Sequence, residues 1–328
     1  MKVYPHGRHL HARHRVSGSR SAFPDSYATR STFCAGVRCS ILLTSLILLA
    51  TSCAPSHSDR VVIGSKNFTE SLILGELMAQ QIEAHTSLKV ERRFYLAGTY
   101  ICHQAVLAGR IDIYPEYTGT ALSAILKQEA GGDRAAVYQR VKNAYERLGL
   151  TLGPGFGFND TFAMEIRGED ARRLQIKTLS EAAAFARQWR AGFGYEFMER
   201  ADGYQGLAAT YGLHFATPPR VMDLGLLARA LRDHQIDLAA GNTTDGLIPA
   251  LGLFVLEDDR HYFPPYEAVP VISEQTLRQH PEVSEALAAL AGKISDQEMQ
   301  NLNYAVDGRR RDVKDVVREF LQRKGLVP

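Results

Sequence analysis

The chain has 328 residues, 45% of them hydrophobic, with a formal net charge of +2; that length and apolar content suit about two domains. The excess of positive charge belongs to the start of the chain. Residues 1–52 hold seven Lys/Arg against the single acid Asp25, which leaves 31 basic and 35 acidic side chains in the rest, so the acidic body gives no support for a nucleic-acid partner.

In chain order the first element is the ten-residue apolar run Ile41–Ala50, followed by Thr51-Ser52-Cys53. A membrane-crossing helix needs about twenty such residues, whereas ten suit the apolar region of a secretory signal. Residues 1–53 therefore read as a basic leader and signal segment, and the protein as exported to the periplasm or outer face of a membrane. Small residues ahead of a cysteine resemble a bacterial lipobox, in which Cys53 is lipidated, becomes the mature N-terminus and anchors the chain. Ala50 stands where Leu is usual, and ordinary cleavage near Ser52 is the alternative. Translation from Val37 would give a short, conventional leader. Cys34, Cys39 and Cys53 all fall in this region, so the body keeps one thiol, Cys102, and no disulfide framework. Its apolar neighbours make Cys102 a small buried core residue.

The body alternates strands and helices. Arg60–Gly64 reads as a buried strand, Asn67 as the cap of a helix with Glu70 three positions later, and Leu74, Leu77, Met78 and Ile82 as its apolar stripe. Lys89–Leu96 is a second strand, Gly98-Thr99 opens a helix to Ala108, Ile111–Tyr114 is a third strand, and a helix follows over Thr118–Leu126. After the Gly/Pro-rich stretch Gly153–Gly157 the rhythm restarts, with strands at Asp160–Ile166, Gly192–Tyr195 and Ile236–Ala240 and helices at Ser180–Arg187 and Leu224–Asp233. An apolar strand at Ala268–Ile272 and four amphipathic helical segments complete the chain. Such alternation predicts an α/β fold with mainly parallel sheets covered on both faces. Two lobes follow, 60–156 with 256–328 as the first and 157–255 inserted as the second, joined by two crossovers around a cleft. The terminal helices would pack on the first lobe.

Motifs for a metalloprotease, a P-loop, a serine-hydrolase elbow and a paired-cysteine zinc site are all missing. The body's histidines are scattered without ligand spacing, so no metal, cofactor or enzymatic activity is expected. Aromatic, hydroxyl and amide residues instead gather near strand ends: Tyr114 and Tyr117, Asn159-Asp160-Thr161-Phe162, Asn242-Thr243-Thr244-Asp245, and Tyr262 with Tyr266. Ligands of open α/β sheets settle outside the carboxyl ends of strands, and an aromatic face attracts a quaternary ammonium. These clusters point to a small-molecule receptor.

Six ordered motifs carry a family resemblance: G-S-K-N-F-T-E-S-L-I-L-G-E at 64–76, D-I-Y-P-E-Y-T-G-T-A-L at 112–122, F-N-D-T-F-A at 158–163, D-G-Y-Q-G-L at 202–207, N-T-T-D-G at 242–246 and P-P-Y-E-A-V-P-V-I at 264–272. From about Arg60 to Pro328 the chain resembles substrate-binding proteins of glycine betaine/carnitine/choline (osmoprotectant) ABC importers. The resemblance implies a type II periplasmic-binding-protein fold that closes on a betaine-like solute and docks on an ABC permease, and through it on ATPase subunits. It also implies site residues. Lys66 and Asn67 start the first helix at the cleft, Tyr117 and Thr120 belong to the first wall, and Tyr266 closes an aromatic cage from the return crossing. Asn159 and Phe162 stand at the first crossing, and Arg200 supplies a guanidinium able to grip both oxygens of a substrate carboxylate. Phe162 replaces a common tyrosine and Asn242 a common aromatic, which removes one cage wall. Asn242 and Thr244 can hydrogen-bond a polar substrate, so another zwitterion, such as an amino-acid derivative, is an alternative ligand and a sensory binding module an alternative role.

Overall fold

The computed structural model describes residues 59–129 and 131–328; the leader, with Cys53 and the apolar run before it, lies outside the described residues. The order opens β1 (Arg60–Gly64), α1 (Thr69–His85), β2 (Lys89–Arg93), α2 (Thr99–Leu107), β3 (Ile113–Tyr117) and β4 (Leu150–Leu152). It continues β5 (Phe162–Arg167), β6 (Ala191–Phe193), α3 (Tyr195–Glu199), β7 (Arg220–Val221), α4 (Leu224–Arg232), β8 (Leu238–Asn242) and β9 (Leu253–Leu256). The chain then passes through β10 (Ala268–Ser273) to α5 (Asp296–Asp307) and α6 (Val313–Arg323), with shorter helices between.

The strands form two five-stranded sheets, β2-β1-β3-β10-β4 and β7-β6-β8-β5-β9. Each is mixed, with four strands sharing one direction as expected and one reversed. β10 runs against β3 and β4 in the first sheet, and β5 runs against β8 and β9 in the second. Both reversed strands are the first that the chain makes on arriving from the other sheet. Apolar runs report burial on both faces but not direction, which is why the reversal was invisible in the sequence pattern. In the first sheet Pro115 lies opposite Pro270. Neither has an N–H, so this must be a non-hydrogen-bonded pair of the antiparallel ladder, and the Thr118 N–H to Glu267 carbonyl bond three pairs along has the matching phase.

Several local expectations shift. β3 begins at Ile113 rather than Ile111, because the Asp112 carboxylate accepts from Val62 N at 2.7 Å and from Thr276 Oγ1 at 2.9 Å and so ties down the preceding turn. Tyr117 consequently ends the strand instead of following it. Asn67 does not cap α1; Phe68 occupies the N-cap without a side-chain bond, and Ser71 Oγ accepts from Lys66 N at 2.8 Å.

The α1 stripe buries Leu74, Leu77, Met78 and Ile82 in one core with Val316, Val317, Phe320 and Leu321 of α6. Each such side chain contributes roughly 1.5–3 kcal/mol on removal from water, which anchors the chain's end against its first helix. Asp312 caps α6 by accepting from Lys314 N at 2.8 Å. α5 does more than cover the first sheet's helices. Asn303 donates to Glu70 Oε2 on α1 and to the Thr244 carbonyl beyond β8, both at 2.9 Å. The second sheet has its own cores, around Met164, Ile166, Phe193 and Leu207 on one face and Leu227, Leu231 and Ile236 on the other. Cys102 is fully buried, and burial pushes its thiol up to about 12. Among the described residues no group of side chains could hold a metal ion, and no helix is long and apolar enough to cross a membrane.

Candidate ligand-binding cleft

A cavity of about 410 Å³ opens between residues of the two sheets, within the usual range for small-molecule sites. From the first sheet it is bordered by Lys66, Asn67 and Phe68 ahead of α1, Thr99 at the start of α2, Tyr117 at the end of β3, and Thr120. The opposite side carries Phe162, Glu196, Phe197, Arg200, Asp223, Leu224 and Asn242, and Tyr266 stands at the return crossing.

The first side is held by buried polar bonds. Lys66 Nζ is paired with the fully buried Glu116 carboxylate and lies 5.1 Å from the centre of the Tyr117 ring. Burial raises the Glu116 carboxyl, against the pull of Lys66. Tyr117 Oη donates to Glu70 Oε1 at 2.8 Å, and Phe68 stacks on its ring at 6.3 Å. Glu70 also accepts from Thr244 Oγ1 at 2.5 Å and from Asn303 Nδ2. Asp160 lies beside it, accepting from Thr244 N at 3.2 Å. Burial raises both carboxyls, Asp160 the more strongly because the Glu70 charge adds to it, so this neighbouring pair retains a proton more readily than either group would in water.

On the opposite side Phe162 meets Phe197 edge-on at 4.8 Å and Tyr266 at 5.7 Å. The Arg200 guanidinium sits over Phe162 at 5.0 Å and over Tyr266 at 5.9 Å. Arg200 is buried, not a surface residue paired with Glu196 or Glu199. Its Nε and Nη2 donate to Asp202 at 2.8 and 2.5 Å, and its Nη1 donates across the cleft to Thr120 Oγ1 at 3.1 Å. Burial works against this charge, and the bonds to Asp202 outweigh it, so the pKa stands above the ordinary guanidinium value. Three of the five guanidinium N–H groups are thus engaged, leaving one on each terminal nitrogen. A carboxylate gripped through two oxygens must use that end-on edge. Asp202 also accepts from Tyr266 Oη at 2.6 Å. Glu196 joins the sides too, accepting from Thr99 N at 2.7 Å; Gly98 is needed there because a Cβ would strike the Glu196 carboxylate.

Of the residues named from the sequence, Lys66, Asn67, Tyr117, Thr120, Phe162, Arg200, Asn242 and Tyr266 border this cavity, and Asn159 and Thr244 do not. Asn159 Oδ1 accepts from Tyr266 N at 2.7 Å and so holds the backbone of that tyrosine, and Thr244 bonds to Glu70 and Asp160 behind the cleft. Sequence reading missed Phe68, Glu196, Phe197 and Asp223 as lining residues and Asp202 as the partner of Arg200. Asp202, two residues beyond Arg200, carried a usable signal. Glu196 carried none, because its partner Thr99 comes from the other sheet's side.

The family profile described as the substrate binding domain of ABC-type glycine betaine transport systems matches residues 59–323. The carnitine transport binding protein OpuCC of Listeria monocytogenes is 37% identical over 86% of this chain and 94% of its own length. The ergothioneine transport permease/ergothioneine binding protein EgtU of Helicobacter pylori is 35% identical over 81% of this chain, which spans 48% of that longer relative. The crystal structure of a glycine betaine/carnitine/choline ABC transporter protein superimposes with a TM-score of 0.68 at 34% identity, covering 81% of this chain and 99% of the other. The two mixed sheets and the cleft between them are accordingly a periplasmic-binding-protein architecture, and the chain belongs to the family of substrate-binding domains of ABC-type glycine betaine transport systems.

Proposed function

We propose that the protein captures a quaternary-ammonium or zwitterionic compatible solute of the glycine betaine, choline or carnitine type between its two sides and delivers it to an ABC permease. It does this outside the cytoplasm, as a receptor rather than an enzyme, with Cys53 as the lipidated anchor. One observation carries the reading: the rings of Tyr117, Phe162 and Tyr266 border a single cavity, and the cations Lys66 and Arg200 stand beside them where a ligand carboxylate can meet them. A trimethylammonium placed there gains roughly 0.5–2 kcal/mol per ring face as water leaves. Its carboxylate would meet Lys66, the free edge of Arg200, the Thr120 hydroxyl and the Asn242 amide. Ligand contacts to both sides would favour the closed arrangement by their differential affinity for it.

A broader zwitterion is the second reading, favoured by Asn242 and Phe162, which lower the aromatic and hydroxyl content of the far side. Calorimetric titration against glycine betaine, choline, carnitine, ergothioneine and free amino acids separates the two. One ligand per chain with a preference for trimethylammonium compounds is expected; a flat response to the whole panel would falsify the solute reading. Mass spectrometry of the purified protein checks the anchor, since a diacylglyceryl mass on Cys53 is expected and an unmodified cleavage product near Ser52 would exclude it.

A further inference from the structure

A second cavity, of about 250 Å³, lies behind Asn242 and shares Asn67, Phe68, Asp223, Leu224 and Asn242 with the cleft. Its deeper lining includes Glu70, Glu165, Asp245, Asn303 and Asp307. Glu165 is on β5, 1% exposed, and neither of its carboxylate oxygens has a partner among the described residues. The neighbouring Gly241 on β8 makes room for it, since a Cβ there would strike that carboxylate. Asn303, 4% exposed, spends its amide N–H on Glu70 and Thr244 and leaves its Oδ1 unmatched. The other acids are engaged: Asp245 accepts from Leu247 N at 2.7 Å and Asp307 from Thr69 Oγ1 at 2.6 Å. Arg229 on α4 directs its guanidinium to the carbonyls of Gly225 and Asp307. The unmatched acceptors of the chamber are therefore the two Glu165 oxygens and Asn303 Oδ1.

Buried polar atoms need partners, and a lining of free acceptors and carboxylates selects a group that brings N–H donors and positive charge. We propose that this chamber is a second subsite, which takes a cationic ammonium-bearing end of the solute whose trimethylammonium lies in the aromatic cleft. Glu165 is its main acceptor, Asn303 Oδ1 the second, and Asn242 marks the passage between the two cavities. An aromatic side chain at position 242 would crowd that passage, so the same residue that thins the cage also admits a longer ligand. The subsite rests on the solute reading above and extends it to two-ended ligands.

The test compares Nα-trimethyl-lysine with Nα-trimethyl-norleucine, which differ only in the terminal ammonium, and uses glycine betaine as the reference. Titration of the purified protein should give at least tenfold tighter binding of the lysine derivative. In Glu165→Gln, and separately in Gly241→Ala, that ratio should fall below threefold while glycine betaine binds as before, which also shows that the cleft has kept its fold. Equal binding of the two derivatives to the unaltered protein, with glycine betaine still bound, overturns the subsite and leaves the solute reading standing. An undiminished ratio in both variants overturns the role of Glu165. Failure of both derivatives to bind overturns the subsite, and a flat response to the whole solute panel overturns both readings together.

Discussion

On the first-sheet side of the cleft the main contacts are held from within their own half: Lys66 holds Glu116, Tyr117 holds Glu70, and Phe68 stacks on Tyr117. On the second-sheet side Arg200 and Asp202 form one tight pair, yet the Asn242 side chain has no protein partner and Glu196 reaches across to the other sheet for its bond. The first side is a pre-organised receptor surface, whose partners cost little reorganisation when a ligand arrives. The second side carries the Asn242 amide, and the proposed choice of ligand rests on it.

The largest test of this contrast is Arg200→Met. It leaves the buried Asp202 carboxylate without its cation and removes the bond to Thr120, so a loss of about 3–5 kcal/mol is expected in urea unfolding. A loss below about 1 kcal/mol would show that Asp202 is solvated after all. Next come Tyr117→Ala and Tyr266→Ala. Each should weaken binding of a trimethylammonium ligand by at least the ~0.5–2 kcal/mol of one ring face, and unchanged affinity in both would refute the cage. Asn242→Tyr should sharpen the difference between the sides in the opposite direction. Restoring a ring there should tighten choline or glycine betaine by up to about 2 kcal/mol, with selectivity shifting away from longer ligands; weaker binding of the small betaines would argue that Asn242 is itself a required contact.

The smallest effect concerns pH. Burial raises Asp245 from 3.8 to about 6. The unfolded chain releases that proton more readily than the folded one, so the folded state binds more protons over this interval and stability falls as pH rises. The contribution is present below about pH 4 and is lost by about pH 6. Asp245 is half-buried, so solvent screening holds the size below the ~3 kcal/mol that the full shift would carry. Asp245→Asn should flatten the thermal-stability profile between those values, and an unaltered slope would assign it to another group.

Much of the fold was legible because burial leaves a periodic trace. The stripe on α1, the strand at Arg60–Gly64 and the apolar Ala268–Ile272 are written in local spacing, and the six motifs supplied nine of the cavity's twenty lining residues. Asn159 shows the limit of that reading. Its place beside Phe162 suggested a ligand contact, but the turn directs its amide to the Tyr266 backbone instead. Glu165 shows the converse. A lone acid within the apolar strand Phe162–Arg167 looks like an outward-facing residue until Gly241, opposite its neighbour on β8, leaves it a place inside.

What the sequence determined by itself was an α/β chain with aromatic and amide clusters at strand ends, since composition, apolar period and motif order are local properties. Strand direction, the Arg200–Asp202–Tyr266 grouping, the Glu196 bond to α2 and the acidic chamber behind Asn242 were decided only by tertiary structure. Each depends on residues tens to hundreds of positions apart, whose approach follows from how the chain crosses between its sheets, and no local pattern encodes which side chain will be left without a partner once they meet.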